Sequence, residues 1–364
     1  MNFETHMGEL APAEAAAFRS VARALRAVPE REPTASLEGR ILAAVEGERG
    51  RARRRRPWQW GLAAAAGLAA ALTLFDLSMR GRAPASPADG IRWLAESQSP
   101  DGTWDPAKHG GLESYRPALT ALSALALDRS GGYADQVGKA CRALAALQSP
   151  DGAFGGSGRV QLYNHAITTY ALATLCPKHL ALRPTLDRAL VYVAARQTVQ
   201  GGWDYEPRSE GNAALTAWQV RALSCAEQQG FEAAKVPLRK GLRWLRSVAR
   251  DDGSIAYHRD SATRSEGLTA LAAYALITAG KPFPGLPELG RRVVGSLHAE
   301  AGQETVDCYR DYARVLAFES AGALPQAAAA RDQLQRHQQG GGCDQWETTG
   351  GRLYTTAFAA LAAK

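Results

Sequence analysis

A short loop motif recurs along this chain at a spacing of about fifty residues. The heptapeptide from Gln98 to Trp104 reads QSPDGTW, and it returns as QSPDGAF from Gln148 to Phe154. A third copy, from Gln197 to Trp203, keeps the glutamine, a glycine and the aromatic residue, and a fourth site keeps only Gly253. Self-similarity at a fixed period is typical of a repeat architecture, in which each repeat is one supersecondary unit.

An Ala-rich helix follows each copy of the loop, and one residue fixes its register. These register positions are Thr120, Thr168, Thr216, Thr269, Arg310 and Thr356. The Ala-rich helices are apolar nearly all round, which indicates burial, whereas the helices before the loops are amphipathic, which indicates half exposure. We therefore predict an all-α fold, an (α/α)6 toroid of six helix-pair repeats over residues 88–364, with an inner ring shielded by an outer ring.

The loop motif has a physical interpretation. Pro-Asp-Gly favours a tight turn in which glycine takes positive φ. We expect the glutamine amide to bond the last carbonyl groups of its own outer helix, and the aromatic ring to cover the turn. The segment from Gly90 to Trp104 is similar to the QW motif of squalene and oxidosqualene cyclases. Residues 86–364 resemble the α/α toroid of terpenoid cyclases and protein prenyltransferases, and this resemblance implies the same fold.

The catalytic motifs of those families are missing or incomplete. The chain has neither the Asp-x-Asp-Asp motif of cyclases that protonate an alkene nor the Asp-Asp-x-x-Asp cluster of ionisation-type synthases. Asp307-Cys308 resembles part of the prenyltransferase zinc site with one residue missing, and Thr355 stands where that resemblance requires histidine. The thioester sequence Gly-Cys-Gly-Glu-Gln is absent. The sequence thus predicts no metal site and no cofactor, and it leaves the catalytic residues unknown.

Polar residues near the starts of the inner helices form a candidate ligand-binding site at one end of the toroid. They are Tyr115, His165, Asn212, Glu266, Asp307, Arg310, Arg314 and Tyr354. In such a site His165 can serve as a base, and Glu266 or Asp307 as an acid or metal ligand. The alternative is helix capping, since Asn, Asp and Glu at helix N-termini bond free amides and complement the helix dipole.

The fifth inner helix carries charges where the others carry small or apolar groups. Asp307, Arg310 and Arg314 share one helical face through their i, i+3 and i, i+4 spacing. Because buried charges are costly unless paired, we expect these side chains to line the cavity and to pair there. Two interpretations remain open: a salt-bridge network that only holds the helix, or an anion-binding patch near His165 and Tyr354.

An apolar segment from Trp58 to Phe75 precedes the repeats. As a helix it extends about 27 Å, which is enough to cross a hydrocarbon core. The arginine block at 53–56 comes directly before it, and the positive-inside rule then places the N-terminus in the cytoplasm. We expect a single transmembrane helix at 57–77, a linker at 78–87, and a toroid held at the cell membrane on the extracytoplasmic side.

Residues 1–56 are expected to form a short cytoplasmic helical segment. The stretch from Gly8 to Ala15 and the break at Pro29 and Pro33 resemble the cytoplasmic segment of membrane-anchored anti-sigma factors, which implies a cytoplasmic protein partner. Many such segments bind zinc through a histidine and a cysteine pair, but this chain has no cysteine before Cys141, which excludes zinc there. The alternative is a plain juxtamembrane helix pair.

The distribution of charge along the chain limits the functions that the protein can have. Much of the net charge of +7 lies in residues 51–56, where the membrane segment accounts for it, so we expect no nucleic-acid partner. The main hypothesis is a membrane-anchored ligand-binding or sensing module whose toroid engages a lipid, glycan or polypeptide. The alternative is an enzyme that processes an isoprenoid or a polysaccharide in the toroid cavity. A deep aromatic lumen would favour an isoprenoid, and a shallow rim of charges a protein or sugar.

Overall fold

The computed structural model describes residues 87–156, 159–205, 210–261, 265–297, 307–339 and 347–363. These ranges contain twelve α-helices and no β-strand beyond two isolated bridges. The outer helices are α1 Pro87–Glu96, α3 Ala134–Ala146, α5 Arg183–Ala195, α7 Lys235–Ser247, α9 Leu286–Ser296 and α11 Leu324–Gln339. The inner helices are α2 Arg116–Ser130, α4 Arg159–Leu175, α6 Ala213–Gln228, α8 Glu266–Thr278, α10 Cys308–Ala321 and α12 Glu347–Ala362.

The inner helices form a closed ring. Each packs against the next, from α2 through α4, α6, α8 and α10 to α12, and α12 packs back against α2. Each outer helix packs against the inner helix that precedes it in the chain, and α1 packs against α12. α2 is buried continuously from Pro117 to Leu127, whereas α7 buries Leu238, Leu242 and Leu245 and exposes its basic side chains. The predicted α/α toroid is confirmed, and the alternation of all-apolar and amphipathic helices is its cause.

Each loop glutamine joins its own loop to the next outer helix. Gln98 Nε2 donates to the carbonyl of Gly102 at 3.0 Å and to that of Gln136, in α3, at 2.9 Å. The same pair of bonds runs from Gln148 to Gly152 and Thr185, and from Gln197 to Gly201 and Pro237. The prediction that the glutamine bonds the end of its own helix is therefore wrong, because its amide points across to the neighbouring repeat.

The tryptophan of the motif takes the role expected of the glutamine. Trp104 is fully buried, and its indole Nε1 donates to the carbonyl of Leu94 in the last turn of α1 at 2.7 Å. Trp203 Nε1 donates in the same way to the carbonyl of Val193, in α5, at 2.8 Å. These bonds satisfy carbonyl groups that a helix C-terminus otherwise leaves without a partner. They also fix the loop beneath the outer helix and so set where the inner helix starts.

The segments predicted before the toroid, at 1–56 and 57–77, lie outside the described residues, as does the linker at 78–87 except for Pro87. None of the helices that are described is long and apolar enough to span a bilayer.

Candidate functional site

A cavity of about 450 Å³, counting its opening to solvent, lies inside the inner ring near the start of these helices. Its walls come from α2, α4, α6, α10 and α12. Six aromatic side chains line it: Tyr115, Tyr163, Trp218, Tyr309, Tyr354 and Phe358. Apolar side chains of α2 and α4 also line it, namely Ala118, Leu119, Leu122 and Ile167, and Thr349 and Gly350 of α12 complete the wall. No charged side chain is among the lining residues, so the cavity is an aromatic, apolar site with phenol hydroxyls as its main side-chain polar groups.

The register of the inner helices explains this lining. The residue two places after each register position is large in every repeat: Leu122, Tyr170, Trp218, Leu271, Tyr312 and Phe358. Three of these, Leu122, Trp218 and Phe358, line the cavity. The register threonine itself points away from the lumen, since Thr120 and Thr216 bond the loops. Two residues on, a helix turns through about 200°, which brings the side chain to the opposite face.

The phenols at the cavity are hydrogen-bond donors at neutral pH. Burial raises the pKa of Tyr115, of Tyr163 and of Tyr309. Hydrogen bonds join Tyr163 to Tyr205, whose ring lies 6.0 Å away, and join Tyr205 to Tyr257. A chain of phenols therefore leads from the cavity wall to the loops before α6 and α8.

An aspartate and a histidine lie at the end of this phenol chain. Asp204 is buried, and its carboxylate accepts hydrogen bonds from Asn212 Nδ2 at 2.8 Å and from the backbone N–H of Tyr205 at 2.7 Å. His258 Nδ1 lies 2.9 Å from the carbonyl of Gly211 and 3.6 Å from Asp204 Oδ2. Because both neighbours are acceptors, the neutral tautomer that fits this site has its proton on Nδ1 and its lone pair on Nε2. The half-exposed His258 ring is thus oriented as a base.

Four charged side chains form a compact network between α8 and α10. Arg314 Nε lies 3.0 Å from Glu266 Oε1, and Arg310 Nε lies 3.1 Å from Asp311 Oδ1 and 3.9 Å from Glu266 Oε2. Two guanidinium groups and two carboxylates balance in charge. The expected pairing of Arg310 and Arg314 is present, with Glu266 and Asp311 as partners. We expected the two arginines to line the cavity, but they are not among its lining residues. Their pairing with Glu266 draws them toward α8 instead.

The remaining predicted site residues fall into two groups. Tyr115 and Tyr354 line the cavity. Asn212 and Asp307 are N-caps whose side chains accept from the backbone N–H of the third residue of α6 and α10, as capping predicts. Asn212 also orients Asp204. None of the described residues belongs to a group of three or more His, Cys, Asp and Glu side chains suited to a metal ion.

His165 is fully buried between α4 and α5, away from the residues that line the cavity. Its Nε2 lies 3.2 Å from the carbonyl of Ala189, and its ring packs against Tyr192 at 4.6 Å and Phe154 at 5.8 Å. Burial lowers the pKa of His165 to about 4. The imidazole is therefore neutral at physiological pH and is surrounded by packed protein.

Sequence comparison gives a partial relative. No family model matches the chain. Over 188 residues, or 50% of this chain, the sequence is 30% identical to drimenyl diphosphate synthase of Streptomyces showdoensis. The matched region spans only 34% of the length of that relative.

The fold is similar to solved toroids. The α-1,6-mannanase of glycoside hydrolase family 76 from Salegentibacter sp. HEL1_6 matches with a TM-score of 0.56 and 9% identity, over 77% of this chain and 98% of that one. A family 76 glycoside hydrolase from a bovine Bacteroides thetaiotaomicron strain matches at 0.52 and 9%, over 78% and 77%. A protein from Actinoplanes matches at 0.52 and 15%, over 76% and 98%. At these identities the likeness shows that the chain is an α/α toroid.

Proposed function

We propose that the toroid is an isoprenoid-processing protein whose central cavity holds the hydrocarbon of its substrate. The observation that carries this proposal is the lining of the cavity, with six aromatic rings, aliphatic side chains and no charged group. Such a lining favours a hydrocarbon, because burial of apolar surface contributes about 25 cal/mol per Å². The sequence leaves two functions open, a sensing module and an enzyme, and this proposal favours the enzyme. The proteins named in the comparisons, a synthase and a mannanase, are enzymes as well.

The partial sequence relationship supports an isoprenoid. The relative that is 30% identical over half of this chain is named for an isoprenoid diphosphate. Isoprenoid reactions pass through carbocations, and aromatic faces attract positive charge. Trp218 and Phe358 are among the aromatic residues that line the cavity.

The Asp204 and His258 pair is the proposed proton-transfer group. His258 Nε2 carries the lone pair, and Asp204 holds the ring through its Nδ1 side, as an orienting carboxylate does in known general bases. Tyr205, whose backbone N–H bonds Asp204, is joined through its phenol to Tyr163 in the cavity wall. Loss of His258 should therefore lower turnover while leaving binding of a hydrocarbon unchanged.

A glycan is the second candidate substrate. The family 76 mannanases match the fold over most of this chain, and one of them is solved with α-1,6-mannotriose. Aromatic rings also stack on sugars. Glycoside hydrolysis, however, requires two carboxyl groups about 5 to 10 Å apart across the scissile bond, and the lining of this cavity includes neither Asp nor Glu. The glycan therefore ranks second.

Calorimetric titration of the full-length protein with farnesol and with α-1,6-mannotriose separates the two candidates. Ala118→Phe fills the cavity, since Ala118 is a lining residue, and Val199→Phe is the matched control at a fully exposed position. We expect farnesol to bind and Ala118→Phe to weaken it by about tenfold or more, with Val199→Phe unchanged. Binding of mannotriose without farnesol would replace the isoprenoid by a glycan.

We further propose that residues 57–77 anchor the toroid in the membrane, with residues 1–56 in the cytoplasm beside a protein partner. The support is the arginine block at 53–56 and the aromatic residues Trp58 and Trp60 at one end of the apolar segment. A periplasmic-type reporter fused after Lys364 should be active, and the same reporter fused at Gly50 inactive. The reverse pattern would overturn this topology.

A further inference from the structure

A buried arginine lies on the lumen side of α6. Arg221 is 7% exposed, and its helix neighbours Val220 and Ala222 are fully buried. The groups that act on its charge are the phenols of surrounding tyrosines, and within the described residues no carboxylate forms an ion pair with it. It differs in this from Arg310 and Arg314, which two carboxylates neutralise. A buried charge without a counter-ion is costly.

Aromatic rings from four inner helices surround the Arg221 guanidinium. Its central carbon lies 4.0 Å from the ring centroid of Tyr170, 5.2 Å from those of Trp218 and Tyr274, and 5.6 Å from that of Tyr312. Cation–π contacts offset part of the cost of burial. They act on the ring faces, however, and provide no acceptor for the in-plane N–H groups of the guanidinium.

The unused donors around Arg221 are numerous. Nη2 donates to the hydroxyl of Tyr170 at 2.9 Å and to that of Tyr312 at 2.8 Å. Nε and Nη1 have no hydrogen-bond partner among the described residues, which leaves about three of the five guanidinium N–H donors unused. Both hydroxyls accept from Nη2, so each still has its own proton to donate. Burial raises the pKa of Tyr312 to about 12, which keeps that proton in place.

Two of the tyrosines that surround Arg221 lie on partly exposed stripes of their helices. Tyr170, Thr174, Tyr274 and Thr278 are half-buried, although the outer ring shields the helices that carry them. Each pair is one helical turn apart, so the exposed stripe is the lumen face of α4 and of α8. On the other side, Trp218 lies both in the wall of the aromatic cavity and 5.2 Å from the Arg221 guanidinium. The arginine therefore adjoins the cavity.

We propose that Arg221, with the hydroxyls of Tyr170 and Tyr312, forms an oxyanion-binding subsite that takes a phosphate or carboxylate group. A guanidinium edge and two phenol protons are the donors that such a group requires. The anion is either a free ion or the headgroup of an amphiphile whose hydrocarbon occupies the aromatic cavity. The headgroup reading rests on the proposed function, whereas the subsite itself does not.

Titration of the full-length protein with inorganic phosphate tests the subsite. We expect phosphate to bind and to raise the melting temperature. Arg221→Gln should weaken binding by about tenfold or more, as loss of a charge-assisted contact does. Arg243→Gln, on the exposed face of α7, is the matched control and should bind as the wild type does. Unchanged phosphate affinity in folded Arg221→Gln would overturn the proposal.

A second pair of variants keeps the test decisive if Arg221→Gln does not fold. Tyr170→Phe and Tyr312→Phe keep the rings and remove the hydroxyls, and each should weaken phosphate binding several-fold. Equal affinity in both would also overturn the subsite.

Titration with farnesyl phosphate distinguishes the two sources of the anion. If the anion is a headgroup, farnesyl phosphate should bind more tightly than either phosphate or farnesol, and Ala118→Phe should abolish this gain in affinity. If the anion is a free ion, neither added farnesol nor the Ala118→Phe substitution should change the affinity for phosphate. Phosphate binding without any farnesol binding would retain the subsite and reject the isoprenoid, so the two proposals can fail separately.

Discussion

The hydroxyl of Thr216 accepts a hydrogen bond from the backbone N–H of Trp203 at 3.0 Å, and this bond ties the register residue of α6 to the loop motif before it. Thr216→Val keeps the shape and leaves the buried N–H without a partner, so it should cost about 1–3 kcal/mol of unfolding free energy. Thr168→Val is the matched control. Thr168 is equally buried, and its hydroxyl has no partner among the described residues. Urea denaturation should show Thr168→Val neutral or stabilising, and equal losses in the two variants would contradict this role.

Gly102→Ala should destabilise the toroid far more than Gly110→Ala. Both glycines have positive φ, +86° and +80°, so alanine strains the backbone at each by about 1–2 kcal/mol. At Gly102 the added Cβ would also lie 2.6 Å from the carbonyl oxygen of Lys139 in α3, whereas at Gly110 it meets open space. We expect a further loss of about 2 kcal/mol or more for Gly102→Ala. Similar melting temperatures would show that the loop does not touch the next repeat.

Glu266→Gln should destabilise the protein by about 3 kcal/mol, because it leaves Arg310 and Arg314 with one carboxylate between them in a largely buried site. Glu288→Gln is the matched control. The Glu288–Arg291 pair is 2.8 Å long but exposed, and such pairs contribute about 0–1 kcal/mol. Chemical denaturation of both variants gives the comparison, and equal effects would mean that the network is not structural.

Stability should fall on mild acidification because of His165. Its pKa is about 4 in the folded protein and 6.5 when exposed. Above about pH 6.5 the ring is neutral in both states, and its contribution is complete. As the pH falls towards 4 the unfolded state takes up a proton that the folded state rejects, so unfolding becomes easier by about 3 kcal/mol in total. His165→Gln should remove this part of the pH dependence of the unfolding free energy. An unchanged slope between pH 7 and 4 would contradict a buried neutral ring.

The toroid could be predicted from the sequence because the distribution of apolar residues in each helix indicates how far that helix is buried. Thr120 and its counterparts recur in apolar helices, and the amphipathic helices alternate with them. The role of Gln98 could not be predicted, since its partner in α3 lies 38 residues away along the chain. A loop motif fixes local geometry, but it does not say which neighbour an amide will reach.

Some of the residues that line the lumen could be predicted from the sequence. Tyr115 and Tyr354 were found by their place at helix starts, whereas Trp218 and Phe358 were missed although their position two residues after the register residue marks them. Arg221 also left a signal, as a charge inside an apolar helix. The pairing of Asp204 with His258 left none, because it depends on how two loops from different repeats meet.

Mass spectrometry of the small molecules retained by the purified full-length protein tests the isoprenoid cavity most directly. Wild type and Ala118→Phe, purified in parallel, differ only in the volume of that cavity. We expect wild type to retain an isoprenoid at close to equal stoichiometry and Ala118→Phe to lose it. Retention of a sugar, or of the same isoprenoid by the folded Ala118→Phe variant, would contradict an isoprenoid site in the lumen.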